Sequence, residues 1–413
     1  MYHSLAIVQS SPAARARAHV RSLSSHTFDS GVDALSAARL ASRLRFARRA
    51  RTLSASLVIS RATLARASRA RPPALAAART RASRLRVFAA SGGAMSSRDA
   101  SPGPSVLVVG AGRVGTYCAC KFADARLGGE VVLKGSPPDR GASSMQPFVD
   151  AMCAASGVRH VRTYETVRDR AFDFVFVSVK TYDLPAVKAE LDAHGIAPRI
   201  AILVHNGIVP PMFPSSVRVV IPQSYDFVET PGEGCGVEIH VKNEEKPWTM
   251  PDTPEAREVE AILTRSGIVA RADPAFPYGL IRKFFINGVA NLLSIVGDCN
   301  CDGLLADHRD RMNRIYAEFV AVLAEPHADA FAMLPDDFED VVFQGLASYG
   351  EHFPSTKMDF DAGRALEIDS LNGYVCAVAE ERGVPAPENR RLVRDVEALV
   401  RERDENTRKK AES

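Results

Sequence analysis

The run Ser105-Val106-Leu107-Val108-Val109-Gly110-Ala111-Gly112-Arg113-Val114-Gly115 constrains this chain more than any other stretch. Four consecutive aliphatic residues predict a strand buried on both faces, and the helical period of residues 116–125 predicts the helix that leaves it. The glycines mark the turn between them. Gly110 permits a tight turn, Gly112 leaves the backbone open to a phosphate, and Gly115 lets the helix pack close to the strand. With Ala111, Arg113 and Val114 they form a loop that can seat a pyrophosphate on the helix N-terminus. A G-x-G-x-x-G alone is a weak signal, but a strand before it and a helix after it favour a dinucleotide site over a glycine-rich surface turn.

The formal charge of +3 hides an asymmetry. Residues 1–96 hold 17 Arg, no Lys and two acids (Asp29 and Asp33), a net of +15, which leaves −12 for the rest. An Arg-, Ser- and Ala-rich leader ahead of an acidic body has the composition of an organellar transit peptide. Residues 40–49 can form a basic amphipathic helix, and Val87-Phe88-Ala89-Ala90-Ser91 offers small residues for cleavage. Chloroplast or mitochondrial import is favoured over a nucleic-acid-binding arm and over a late start at Met95, which would leave the protein cytoplasmic. No part of the leader has the 18 or more apolar residues of a membrane span. The seven cysteines, odd in number and including C-x-C pairs, predict reduced, mostly buried thiols and no metal site.

Beyond a linker over 97–104, Glu130-Val131-Val132-Leu133-Lys134 predicts a second strand. Its end carries Lys134-Gly135-Ser136 where an NAD enzyme carries Asp or Glu. An ammonium and a hydroxyl attract a 2′-phosphate that a carboxylate would repel, so NADP(H) is favoured over NAD(H). The alternatives are a solvated Lys134 or a contribution from Arg140. Strands over 172–180 and 199–204 follow, delivering Lys180-Thr181-Tyr182 and His205-Asn206-Gly207 to the edge where parallel sheets bind ligands. Asn206 is a candidate for nicotinamide or substrate. Further strands are expected over 217–221 and 237–241, and a helix over 254–266 capped by Thr253.

From about residue 276 the strands stop, and helices are expected over 281–296, 309–327, 336–349, 367–382 and 389–402. The order predicts an α/β, Rossmann-type dinucleotide-binding domain over 105–275, an all-α C-terminal domain over 276–405 and a polar tail over 406–413, with a cleft between the domains. Lys283, Asn287 and Asn291 recur every fourth residue, drifting about 40° per step, and so share one face of an otherwise apolar helix. Such a stripe faces either water or polar partners. Glu367 is an available partner.

These segments resemble the ketopantoate reductase (2-dehydropantoate 2-reductase) family in five motifs. They are the glycine loop; Val177-Ser178-Val179-Lys180; Leu203-Val204-His205-Asn206-Gly207; Arg282-Lys283-Phe284-Phe285-Ile286-Asn287-Gly288-Val289-Ala290-Asn291; and Glu367-Ile368-Asp369-Ser370-Leu371-Asn372-Gly373 with Val384-Pro385-Ala386-Pro387-Glu388-Asn389. The resemblance implies NADPH-dependent reduction of 2-dehydropantoate to (R)-pantoate, on the route to pantothenate and coenzyme A. It implies Lys283 as the general acid and Glu367 as the group that holds it. It also implies Asn206, Asn287, Asn291 and Ser355 as substrate ligands and Lys180 as a residue against the cofactor.

Two departures bear on the substrate: Ile221-Pro222-Gln223-Ser224-Tyr225-Asp226 replaces a glycine followed by small hydroxyl residues, and Leu292 stands where proline is common. A paralogue that reduces another small 2-oxo acid or carbonyl, and a non-catalytic NADP(H)-binding sensor, stay open beside the first reading. Monomer and homodimer are both compatible with the sequence.

Overall fold

The structure is a computed structural model that describes residues 83–85, 103–137, 145–229 and 237–412. The leader helix, the cleavage point, Arg140 and Cys235 lie outside these residues. The described chain falls within one compact unit, Thr80–Ser413.

The strands are β1 (Ser83–Leu85), β2 (Val106–Val109), β3 (Val131–Lys134), β4 (Arg159–Val161), β5 (Phe172–Val177), β6 (Pro198–Leu203), β7 (Ser216–Arg218), β8 (Ser224–Glu229), β9 (Val237–Lys242), β10 (Trp248–Met250) and β11 (Ala270–Ala272). Six of them form one parallel sheet in the order β4-β3-β2-β5-β6-β7. Counted along the chain this is 3-2-1-4-5-6, the doubly wound order that reverses between β2 and β5 and opens a crevice at their carboxyl ends. The Val106–Val109 run is at most 2% exposed, as expected of a strand covered on both faces. Helices α1 (Arg113–Asp124), α2 (Gln146–Ser156), α3 (Leu184–Ala193) and α4 (Pro254–Arg265) accompany the sheet. Thr253 caps α4 as its sequence predicts, its hydroxyl accepting from Ala256 N at 3.2 Å.

Eight helices follow: α5 (Phe276–Val296), α6 (Cys301–Asp307), α7 (Arg309–Leu323), α8 (Ala328–Phe331), α9 (Phe338–Ala347), α10 (Ser355–Asp361), α11 (Asn372–Glu381) and α12 (Pro387–Glu412). Helix α5 is their axis. It is long and apolar enough to cross a membrane, but 67% of its apolar window is buried inside the protein, as in a core helix. Gly288 lets the Phe319 ring lie against it, since a Cβ there would stand 2.3 Å from the ring. Asn372 donates to Gly288 O and to Asn389 Oδ1, both at 2.9 Å, and Asn389 donates to Glu318. This buried polar network ties α5, α7, α11 and α12 together and accounts for the Asn372 and Asn389 positions of the fifth motif.

The structure corrects several boundaries. The helix expected from 367 begins at Asn372, because residues 367–371 form a turn that meets the sheet. Ser370 O accepts from Ile208 N at 2.9 Å, which takes the carbonyl a helix would need for its own next turn. The strand expected over 217–221 stops at Arg218, and residues 224–229, for which the sequence predicts no element, pair antiparallel with β9. The short β10, β11, α6, α8 and α10 carry too few residues for a periodic signal. None of the six described cysteines is in a disulfide, and four are buried.

Candidate active site

The glycine loop sits at the crevice where the strand order reverses. Gly110 has φ +105°, and a Cβ there would stand 2.7 Å from Ser178 O; a Cβ on Gly115 would stand 1.9 Å from Gly110 O. Only glycine fits these two positions. At Gly112, by contrast, a Cβ would meet nothing within 4 Å, and no side chain caps the first turn of α1. Arg113 Nε is buried beside it with no partner among the described residues. An open backbone at a helix N-terminus, with an orphaned cationic donor alongside, fits a dinucleotide pyrophosphate.

From the loop a groove runs past the end of β3, lined by Gly110, Lys134, Ser136, Asp183, Val187 and Glu190. Lys134 is 6% exposed, so it is not a solvated strand end. Its ammonium lies 3.7 Å from Glu190 and 4.7 Å from the Tyr164 ring centroid. Arg162, which sequence reasoning passed over, donates to Ser136 O and to Pro137 O and so stands at the mouth of the same groove. It sits just beyond β4, and only the pairing of β4 with β3 shows that it reaches the strand end.

The second cluster forms where the sheet meets the helices. Gly207 has φ +69°, and its Cβ position is 2.1 Å from Ser370 O, so the 205–207 turn rests directly on the 367–370 turn. That contact carries Asn206 to Glu367, Nδ2 to Oε2 being 3.4 Å. Glu367, 3% exposed, also accepts from Lys180 Nζ at 3.1 Å and Thr181 N at 3.3 Å. Lys180 donates in addition to Asp359 at 2.7 Å. Burial opposes the Lys180 ammonium, but Glu367 and Asp359 outweigh it and hold its pKa above the ordinary lysine value.

The polar stripe of α5 faces this cluster. Lys283 Nζ donates to Ile221 O at 2.9 Å, and Asn291, 5% exposed, donates to Thr356 Oγ1 at 3.1 Å; Asn287 is half-buried between them. Ser355 is exposed at the start of α10, and it is the neighbouring Thr356 that meets Asn291. Ile221 serves through its backbone carbonyl, and Tyr225 through its ring, packed 5.1 Å from Tyr117. The departing segment therefore holds Lys283 without using a pocket side chain of Ile221. Desolvation first, then the like charge of Arg218, lower the Lys283 pKa to about 8 against the pull of Glu367. His205 is held neutral, its pKa lowered to about 3 by burial, Arg218 and Lys283, while Nδ1 bonds Asn206 O at 2.8 Å. Asp359 and Arg218 carry no signal in the sequence that would join them to this site. Among the described residues no group of three His, Cys, Asp or Glu side chains is placed to hold a metal ion.

A doubly wound sheet with a phosphate-ready glycine loop, closed at its switch point by helices that bring a lysine and a buried carboxylate, defines the class: an NAD(P)-dependent oxidoreductase. The chain belongs to the ketopantoate reductase family. The description "Ketopantoate reductase PanE/ApbA" matches residues 106–210, and its C-terminal counterpart matches residues 277–400. The chain is 34% identical over 111 residues to the 2-dehydropantoate 2-reductase of Salmonella typhimurium, a stretch covering 27% of this chain and 35% of that protein. It therefore matches only about a third of that relative's length. Against the 2-dehydropantoate 2-reductase of Mycobacterium tuberculosis it is 25% identical over 289 residues, covering 68% of this chain and 93% of that one. The crystal structure of a PanE/ApbA family ketopantoate reductase from Ralstonia eutropha JMP134 shares the fold with a TM-score of 0.58 at 21% identity, covering 72% and 99% of the two chains.

Proposed function

We propose that this chain reduces the ketone of a small branched 2-oxo acid, 2-dehydropantoate foremost, using NADPH, with Lys283 as the general acid. The observation that carries this reading is that Lys283 from the helical half and Asn206 from the sheet half both lie against the cluster around the buried Glu367, beside the glycine loop. A reduced nicotinamide, when bound, supplies hydride to the carbonyl carbon. Lys283 meets the negative charge that develops on the carbonyl oxygen and gives up its proton there. One of its three hydrogens is taken by Ile221 O, which aims the other two. That charge exists in the transition state and not in the ketone, so the contact acts on turnover more than on ground-state binding. Glu367 orients Asn206 and Lys180, and Asn287 and Asn291 extend the polar face toward the substrate.

The test is NADPH consumption against a panel of 2-oxo acids. Preferred turnover of 2-dehydropantoate supports the reading; pyruvate-sized or aromatic acids outrunning it by about tenfold would favour a paralogue, for which residues 221–226 are the motivation. NADPH binding without turnover of any of them would favour a sensor.

The Lys283 pKa near 8 predicts a pH profile. A general acid must be protonated, so kcat/KM is expected to be level below this value and to fall as pH rises through it. A profile level to pH 10 counts against Lys283 in this role.

For the cofactor, Lys134, Ser136 and Arg162 favour a 2′-phosphate, while Glu190 offsets part of the Lys134 charge. Arg162→Ala and Lys134→Asp are each expected to shift the NADPH:NADH affinity ratio toward NADH by about tenfold, the scale of one lost charge-assisted contact. Fluorescence titration with both dinucleotides measures it, and an unmoved ratio in both variants removes these residues from cofactor choice.

A further inference from the structure

Arg218 ends β7, the outermost strand of the parallel sheet, where a long cation would ordinarily run out to solvent. Instead its guanidinium turns inward onto backbone carbonyls. Nη1 donates to Leu203 O at 3.3 Å and Val219 O at 3.4 Å; Nη2 donates to His205 O and, at 3.4 Å, to Gly207 O. Among the described residues no carboxylate lies within ion-pair distance of it. A desolvated cation with carbonyl partners only is an expensive way to close a sheet edge, where a neutral side chain of similar length would fill the same space. Burial lowers its pKa to about 9, and Glu367 pulls the other way, so it stays charged at neutral pH.

Two features of its surroundings give that charge a use. His205 O and Gly207 O flank Asn206, the residue that meets Glu367 from the sheet side. Arg218 and Lys283 also meet the same stretch of chain, the guanidinium at Val219 O and the ammonium at Ile221 O, and the other charged or titratable groups that act on the lysine are His205, held neutral on the turn after β6, and Glu367 on the turn before α11, itself tied to Lys180. Arg218 is thus the fixed positive charge beside the lysine.

We propose that Arg218 is a positioning residue for the reduction: its guanidinium pins the two carbonyls that frame Asn206, and its fixed positive charge stands beside the Lys283 ammonium. This rests on the reading of Lys283 as general acid. Arg218 touches no reacting atom; it acts through Asn206 and through the electrostatics of Lys283.

The experiment compares the full chain with Arg218→Met, which keeps length and loses charge, and Arg218→Lys, which keeps charge and loses the planar fork. kcat/KM for 2-dehydropantoate is followed against pH at saturating NADPH, with NADPH affinity and circular dichroism recorded for each. In Arg218→Met the basic limb is expected to move up by about half a unit to one unit, as removal of a near like charge requires. KM is expected to rise about three- to tenfold from the loosened Asn206 turn. Arg218→Lys is expected to leave the limb in place and still raise KM. A folded Arg218→Met with normal NADPH affinity and an unmoved limb overturns the electrostatic role. Should Arg218→Met not fold, Arg218→Lys decides: KM unchanged along with the limb overturns the proposal, and a raised KM with the limb in place supports it. Failure of the underlying reading looks different, because residual turnover of Lys283→Ala would then keep the wild-type basic limb whatever residue stands at 218.

Discussion

Lys283→Ala is expected to lower turnover by about 10²–10⁴-fold while reduced-dinucleotide affinity stays within about twofold, the scale of a lost general acid. The split follows from geometry. The Lys283 side chain reaches Ile221 O and feels Arg218 and Glu367, whereas the pyrophosphate seat lies at Gly110, Gly112 and the first turn of α1. Other proton donors nearby cannot replace it. Lys180 is tied to Asp359 and Glu367, which hold its proton more tightly than usual, and His205 carries no proton to give near neutral pH. Loss of kcat with KM nearly unchanged would mark a contact made in the transition state, and an equal loss of both kcat and dinucleotide affinity would show that Lys283 serves binding instead. Single-turnover NADPH oxidation beside equilibrium fluorescence titration separates the two.

Gly207→Ala should destabilise the protein by about 2–4 kcal/mol, combining the penalty of a left-handed backbone with a clash that no side-chain rotation relieves. Its φ is +69°, and the new Cβ would stand 2.1 Å from the carbonyl oxygen of Ser370. The 205–207 turn must then withdraw from the 367–370 turn, breaking the Ile208 N to Ser370 O bond and lengthening the Asn206 to Glu367 contact. A fall in melting temperature of about 3–6 °C is expected for a unit of this size, together with lost turnover. Gly363→Ala makes a sharp control, since its φ is also positive, +70°, but nothing lies within 4 Å of the Cβ position. It should cost about 1 kcal/mol and leave activity intact. Equal effects from both substitutions would mean that backbone strain alone matters at 207 and that the turn-on-turn contact does not hold the site together.

The core strands of the parallel sheet, the glycine loop, the Thr253 cap and the polar stripe of α5 were legible in the amino-acid order, because each depends on neighbours within a few residues. An aliphatic run, a glycine at a tight turn and a four-residue repeat carry their meaning locally. The family motifs likewise point to Lys180, Asn206, Lys283 and Glu367 as members of one site.

Tertiary structure decided how those members meet. Lys180 reaches Asp359 across 179 positions of chain, Asn206 reaches Glu367 across 161, and Lys283 finds its acceptor in a backbone carbonyl 62 positions away whose side chain is irrelevant to the bond. No periodicity encodes such distances, since they depend on where loops end once the sheet and helices have packed. The turn before α11 shows the same limit: residues 367–371 have helical neighbours, yet they bend because Ser370 O is claimed by Ile208 of the sheet. Arg218 reads as an ordinary strand-end cation until three carbonyls of the adjacent strand and turn, with that of its neighbour Val219, close around it. Residue order alone specified which groups are present and on which face of each element they stand; long-range packing alone determined their partners, their solvation and hence their proton affinities.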